Sequence, residues 1–481
     1  MTYGKDGILK ENPKDILIKT AYTHDIDGSE LLKFGLHKAD QAWALALYKA
    51  GVIPNDKIKI LLQGLLDLEK QDFILNPEFG DIYNSKSVAL QNIIGDVEGY
   101  IHTGRPRREA INIGYLISLK IEIEKLYLVL IDLSKTFLAL SKKFSDAIMP
   151  DLTYLHHAQP TVFGHYVLTF LFPLFRDMEK LQLAYKHINS SPSGSGSVNG
   201  TSIPIDREYL KKLLSFSLIT LHTRDAMWQV DTPIEVISIL SSIMTNLNRL
   251  SDELQIFNTQ EFSLIKLPDS LCRASVIMPQ KQNPYPLTYF RGVASEILGK
   301  SASYSAYGKI PSGNPDSRTF VYVDILKSIK KVTGAISLLN VTLQDISFNR
   351  EVAYERVKNS FLYATDIAEW LTIHKNIPYK EAHKVVGAVI RDMQEKNIKP
   401  SDIKSEFFEK YINVPLDTKT LKKLIEPKNI VKSRTSLGGA NDLENIWDEI
   451  SEKINNFISN YDIMETNMNY LKSEINYVME D

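Results

Sequence analysis

Apolar positions recur with helical spacing over three long stretches of the chain. From Tyr115 to Leu140 they fall on nearly every face: Leu116, Ile117, Leu119, Ile121, Ile123, Leu126, Leu128, Leu130, Ile131, Leu133 and Phe137. A helix that is apolar almost all round is buried between other helices. Val236, Leu240, Ile243, Met244, Leu247, Leu250 and Leu254 follow the same spacing, with Asn246, Asn248 and Asp252 between them. Val323 to Leu343 is a third such segment, through Ile325, Leu326, Ile329, Val332, Ile336 and Leu339. All three exceed the usual globular helix of about three turns. Period-2 alternation bounded by turn residues nowhere persists for long, and no internal repeat recurs. The pattern predicts an all-α chain built on a bundle of long helices. Its apolar faces exceed what one chain readily covers, which predicts oligomerisation through the bundle.

Three stretches break the helical pattern. His102 to Arg108 reads HTGRPRR, Ser190 to Thr201 is rich in serine and glycine, and Arg273 to Pro286 reads RASVIMPQKQNPYP. By composition the second is a flexible linker. Prolines around Gln280, Lys281 and Asn283 exclude regular helix from the third. Irregular loops between rigid helices are where binding groups are usually mounted.

Composition narrows the classes. Of 481 residues, 44% are hydrophobic and 24% charged, which excludes a largely disordered chain. Lysine and arginine total 56 against 58 acidic residues, a net charge of -2. Such a balance speaks against nucleic acid as a partner. Cys272 is the one cysteine, so no intramolecular disulfide forms and a zinc site has no cysteine spacing. A reducing, cytoplasmic setting fits. The N-terminal residues carry no apolar core of signal-peptide length. The most apolar short run, Tyr166 to Phe175, is about half a membrane span and contains Pro173. No membrane partner is expected.

At Ser275 to Pro284 the chain reads S-V-I-M-P-Q-K-Q-N-P. This resembles the signature of the argininosuccinate lyases, a family of the fumarase/aspartase superfamily, whose version reads G-S-S-x-M-P-Q-K-K-N-P. The resemblance runs along nearly the whole chain. Asp25-Ile26-Asp27-Gly28-Ser29 is similar to the family's D-I-x-G-S, and Ile94-Gly95-Asp96 with His102-Thr103-Gly104-Arg105 to its I-G-D and H-T-G-R-S-R-N-D. Ala158-Gln159-Pro160 resembles the end of its T-H-L-Q-x-A-Q-P. The serine/glycine stretch with Ile205-Asp206-Arg207 resembles P-L-G-x-G-A-L-A-G-T and I-D-R, which demotes the linker reading.

The resemblance implies an all-α, three-domain fold: an N-terminal helical domain over 1–110, a central helix bundle over 111–355 carrying the signature loop 273–286, and a C-terminal helical domain over 356–481. It implies a homotetramer acting on a small succinyl-amine substrate. The implied reaction is β-elimination of a C–N bond in an N-substituted aspartate, releasing fumarate and an amine or guanidine. That chemistry needs a base at the carbon next to a carboxylate, a clamp on that carboxylate and an acid for the departing nitrogen. It needs neither metal nor organic cofactor. By family position Ser275 is the base, and Lys281, Asn283, Thr153 and Arg107 contact substrate, with Thr103 and Arg108 in the same segment. A serine hydroxyl acts as a base only where lysine or backbone N–H groups stabilise its alkoxide.

The departures from the family pattern concentrate on the leaving group. The acid-side histidine of T-H-L-Q is Tyr154, and the histidine of D-x-D-I-H is Tyr83. Asn-Asp-Gln of the second motif becomes Arg108-Glu109-Ala110. Gly313 to Arg318 stands at the family segment Y-N-R-D-x-Q without its tyrosine and glutamine. Two readings follow: a lyase for a different, specialised succinyl substrate, or a silent relative kept as a binding or structural protein. Candidate replacement acids are Tyr154 itself and His156 or His157. An extended segment would bring His156 to the side of Tyr154; a helix would bring His157 there.

Overall fold

The computed structural model describes residues 10–313, 316–412 and 416–480. Its backbone is mostly helical. The N-terminal part contains α1 (Lys33–Lys49), α2 (Asn55–Gln71) and α3 (Ile82–Ile94). The long helices follow: α4 (Arg107–Lys143), α5 (Leu171–Ile188), α6 (Asp231–Phe257), α7 (Tyr285–Gly308) and α8 (Asp316–Asp345). Beyond them lie α9 (Ala364–Lys375), α10 (Tyr379–Glu395), α11 (Leu443–Met464) and α12 (Asn469–Glu480).

The axis of the molecule is α4. Its 37 residues span about 55 Å at 1.5 Å per residue. It packs against α8, α1, α11 and α5, while α6 packs against α7 and α5. Neighbours on so many sides explain why its apolar residues need no single face. Leu116, Ile117, Leu119, Ile123, Leu126, Leu130, Leu133 and Phe137 are all buried, and only Leu128 in that stretch is markedly exposed. The whole α6 stripe from Val236 to Leu254 is buried too. Backbones of α1 and α4 touch at paired glycines: a Cβ on Gly35 would stand 2.1 Å from the Gly114 carbonyl oxygen. Any side chain there would force the two helices apart.

The C-terminal stretch divides by the core it joins. Residues from Tyr363 to Ile430 gather their own apolar core around Ile367, Leu371, Val389, Met393 and Phe408. The last two helices return to the main core through Ile450, Ile454, Phe457, Leu471 and Ile475. The expected unit 356–481 therefore contributes to two cores. No described helix is long and apolar enough to cross a membrane.

Strand content is the departure from the helical expectation. A hairpin pairs β1 (Ile148–Thr153) with β2 (His156–Val162), antiparallel. Two-residue ladders add small clasps, among them β3 (Arg273–Ala274) with β4 (Gln282–Asn283). The serine/glycine stretch is no flexible linker: Ser191, Ser193 and Ser195 are buried.

Candidate active site

The signature segment folds as a loop clasped at its base. Arg273 pairs with Asn283 and Ala274 with Gln282. Side chains reinforce the clasp: the Asn283 amide donates to the Arg273 carbonyl (2.9 Å), and the Gln282 amide to Asp269 (3.0 Å). Inside the loop, the Met278 N–H donates to Ser275 Oγ (3.0 Å) and the Lys281 N–H to the Met278 carbonyl (3.0 Å). A hydroxyl oxygen that accepts an N–H is biased toward its alkoxide, the form a serine base requires. At the tip, Val276 and Ile277 project into solvent. Lys281 and Asn283 line a cleft of about 960 Å³ whose other wall is the end of α6 and the Ser347–Asn349 segment. Ser275 does not line it. Cys272 does, but burial raises its thiol.

Thr153, Tyr154 and His156 sit on the hairpin. The turn is Tyr154-Leu155, both with positive φ (55° and 60°). Tyr154 is 99% exposed at the tip. Neither geometry considered for this segment holds, because it is neither continuously extended nor helical. The turn pairs Thr153 with His156 and Leu152 with His157. Cross-strand partners share a face, so Thr153 and His156 project together and His157 to the other side. His157 Nδ1 instead meets Ser360 Oγ at 2.7 Å, and burial with Arg356 and His156 nearby lowers its pKa.

The third group stands where a 3₁₀ turn (Gly95–His102) runs into α4. Its anchor is Arg105, which is buried and paired with Asp40, and donates to the Ala39 carbonyl (3.1 Å). Lys86 Nζ reaches the other Asp40 oxygen at 2.7 Å. Burial alone would raise the Asp40 carboxyl, yet Lys86 and Arg105 together hold it below the usual carboxylate range. Thr103 accepts from Trp43 Nε1 through its carbonyl (3.2 Å). Gly104 has φ +70°, and a Cβ there would meet Ile203 at 2.7 Å. Arg107 lies 3.4 Å from Asp81, the N-cap of α3, and Arg108 adds to the positive field on that carboxylate. Arg318 lies outside the described side chains.

Glu109 ties this segment to the serine/glycine stretch. Its carboxylate accepts from Gly194 N–H at 2.6 Å. Arg207 closes the other side, donating to the carbonyls of Ser193 (2.8 Å) and Thr220 (2.9 Å). Burial pushes the Glu109 carboxyl up to about 7, against the nearby Arg105 and those N–H groups.

Beside Thr103, the His102 ring is flanked on both nitrogens. Glu98 Oε1 is 2.8 Å from Nε2, and the Tyr83 hydroxyl is 3.0 Å from Nδ1. Ser87 donates to the same Glu98 oxygen. The motif reading passed over Glu98 and Ser87. The Glu-x-x-x-His spacing of Glu98 and His102 was the signal available for the first. Thr103, Arg107 and Arg108 are thus brought together, as are Thr153 with His156, and Ser275 with Lys281 and Asn283. The hydrogen bonds of each group lead to a different part of the chain.

A bundle of long helices carrying a clasped proline-bounded loop at one end is the architecture of the fumarase/aspartase superfamily, and a lyase family model matches residues 18–299. The model of the argininosuccinate lyase C-terminal region matches residues 361–432. The chain belongs to the argininosuccinate lyase family and is a carbon–nitrogen lyase. It is 31% identical over 426 residues to argininosuccinate lyase of Sulfurihydrogenibium sp., covering 86% of this chain and 92% of that one. It is 30% identical over 477 residues to argininosuccinate lyase of Methanocaldococcus jannaschii, covering 98% and 96%. Among solved structures, an EDDS lyase in complex with formate superposes with a TM-score of 0.84 at 20% identity, over 98% of this chain and 97% of that one. A class II fumarase from Schistosoma mansoni gives 0.66 at 15%, over 80% and 89%. These two likenesses speak for the fold.

Proposed function

We propose that this protein cleaves the C–N bond of an N-substituted aspartate by β-elimination and releases fumarate. The observation that carries the reading is the signature loop. Its serine is already bonded to a backbone N–H, and its lysine and asparagine stand together on the closing arm. Ser275 takes the proton from the carbon beside the carboxylate. Lys281 and Asn283 clamp that carboxylate as charge builds on it. Thr153, Thr103, Arg107 and Arg108 contact the remainder of the substrate. The three groups meet in a homotetramer, where loop, hairpin and helix start come from different copies. The enzyme works in the cytoplasm without metal or organic cofactor.

The leaving group is where this chain parts from its relatives. Arg108 stands where the family has a neutral asparagine, so a guanidinium leaving group meets an added cation. At about 5 Å each such charge costs on the order of 3 kcal/mol at an effective dielectric near 20. A neutral or anionic leaving group escapes that cost, so argininosuccinate is a poor substrate. The experiment follows fumarate by ultraviolet absorbance with argininosuccinate, adenylosuccinate and ethylenediamine disuccinate. Fumarate from any of them supports the elimination. None from all three returns the chain to a silent relative. A kcat/KM for argininosuccinate in the ordinary range of about 10⁴–10⁸ M⁻¹s⁻¹ would sink the charge argument.

A further inference from the structure

An N-substituted aspartate carries two carboxylates on its four-carbon half, and Lys281 with Asn283 clamps one of them. The cleft at the base of the signature loop holds a second ammonium group, that of Lys266. Its mount is rigid. A short antiparallel ladder pairs Ile265 with Phe348 and Lys266 with Ser347, and Ser347 Oγ donates to the Lys266 carbonyl (3.1 Å). Ile265 and Leu267 turn into the core, so alternation along the chain leaves Lys266 on the open side. Lys281 stands on the opposite wall, held by its N–H to the Met278 carbonyl and by β4 immediately after it. Neither ammonium forms an ion pair among the described residues. One carboxylate, Glu261, lines the same cleft and pairs with neither. Apart from the Cys272 thiol, the other polar groups on its walls are carboxamides and hydroxyls.

We propose that Lys266 binds the second carboxylate, the one on the carbon that bears the nitrogen, so that Lys266 and Lys281 form a dicarboxylate site; this rests on the elimination reading above. Two like charges facing one concave space raise its potential, and a dianion relieves both. Glu261 subtracts from that field without cancelling it, since two ammonium groups stand against one carboxylate. Gln260 and Gln280 add donors without negative charge, and neither side chain is committed to another hydrogen bond among the described residues. Lys266 also reaches toward the interior of the cleft: its charge opposes the upward pull of burial on the Cys272 thiol. The two lysines differ in what they do. Lys281 meets the carboxylate beside the broken C–H bond, where charge builds in the reaction. Lys266 meets a carboxylate whose charge stays the same from substrate to fumarate. It therefore acts on binding, and its loss moves KM rather than kcat.

The test uses the full-length protein and two probes, fumarate and crotonate, which is fumarate with one carboxylate replaced by a methyl group. Calorimetry gives their affinities. Alkylation of Cys272 by iodoacetamide gives a second readout, because an occupant of the cleft shields that thiol. Wild type is expected to prefer fumarate. Lys266→Met keeps most of the stem and should lower fumarate affinity about tenfold, the scale of one charged contact, while crotonate affinity stays the same. Lys266→Arg should restore the preference, which a role in packing alone would not predict. With any N-substituted aspartate that releases fumarate, KM should rise about tenfold in Lys266→Met and kcat should hold. Unchanged fumarate affinity and shielding in Lys266→Met, or an equal loss for crotonate, overturns the assignment, and continued fumarate release would leave the elimination standing. A wild type that releases no fumarate overturns the elimination reading; fumarate shielding of Cys272 that is lost in Lys266→Met would still uphold the dicarboxylate site, and no shielding would overturn that too.

Discussion

Asp40 is one carboxylate between two buried cations, and its replacement has a calculable consequence. Lys86 and Arg105 reach it with side-chain exposures of 2% and 0%. At 2.7 Å the Lys86 contact carries a gross attraction of about 6 kcal/mol at an effective dielectric near 20. Asp40→Asn keeps the shape and one accepting oxygen but removes the charge. Removing one partner of a buried pair costs about 3–5 kcal/mol, a large part of a total of about 5–15. Lys86 has a way out, since burial already pulls its pKa down and Asp40 opposes that pull. Without Asp40 the folded-state pKa falls further below the unfolded value. The unfolded state then binds more protons between the two, so the stability of the variant rises with pH across that window, more steeply than in the wild type. Urea unfolding near pH 7 and pH 9, at one protein concentration, measures both effects. Arg105 also anchors the segment that carries Thr103 and Arg107, so KM should rise in any variant that still folds. A loss below about 1 kcal/mol near pH 7, with parallel pH dependence, would refute the reasoning.

Three further outcomes are expected. Ser275→Ala should lower elimination at least about 10²–10⁴-fold with little change in melting temperature, since its hydroxyl serves one N–H on an exposed loop; unchanged turnover removes Ser275 from the mechanism. Lys281→Met should weaken fumarate or succinate binding by roughly 1.5–3 kcal/mol, read by calorimetry, and equal affinity would place the carboxylate clamp elsewhere. Glu109 has its folded pKa raised to about 7, so its contribution is full below the unfolded carboxyl value and is lost as pH rises through about 7. Glu109→Gln keeps the acceptor for Gly194 and should flatten that decline in melting temperature; an identical pH profile would show that Glu109 does not titrate there.

What was legible in the sequence follows the range of the forces involved. A buried helix repeats its apolar residues every three or four positions, so α4, α6 and α8 show in the sequence of Leu, Ile and Val alone. The signature loop is legible because prolines at 279 and 284 and the polar residues between them form a local motif. The hairpin is not. Its turn uses Tyr154 and Leu155 at positive φ, where glycine or asparagine is the usual signal. Pro150 and Pro160 face each other in the ladder, so two residues that argue against strands sit inside one. The serine/glycine stretch has the composition of a linker, and what orders it lies far off in sequence, at Glu109 and Arg207.

The same contrast bears on how the site diverges. Asp40, Lys86 and Arg105 fix one segment from within the core, Glu109 and Arg207 fix another, and the β3–β4 clasp fixes the signature loop. Those supports are buried or hydrogen-bonded, and changing them costs stability. Tyr154 at the hairpin tip and Val276 and Ile277 at the loop tip are exposed and carry little of that load. On the proposed reading, substitution at such exposed tips alters what the substrate meets and leaves the frame standing. A family frame with altered leaving-group contacts is therefore the expected product of drift under a stability constraint. On the proposed mechanism the clasp, Ser275 and Lys281 serve the fumarate half of the reaction, whatever the nitrogen carries.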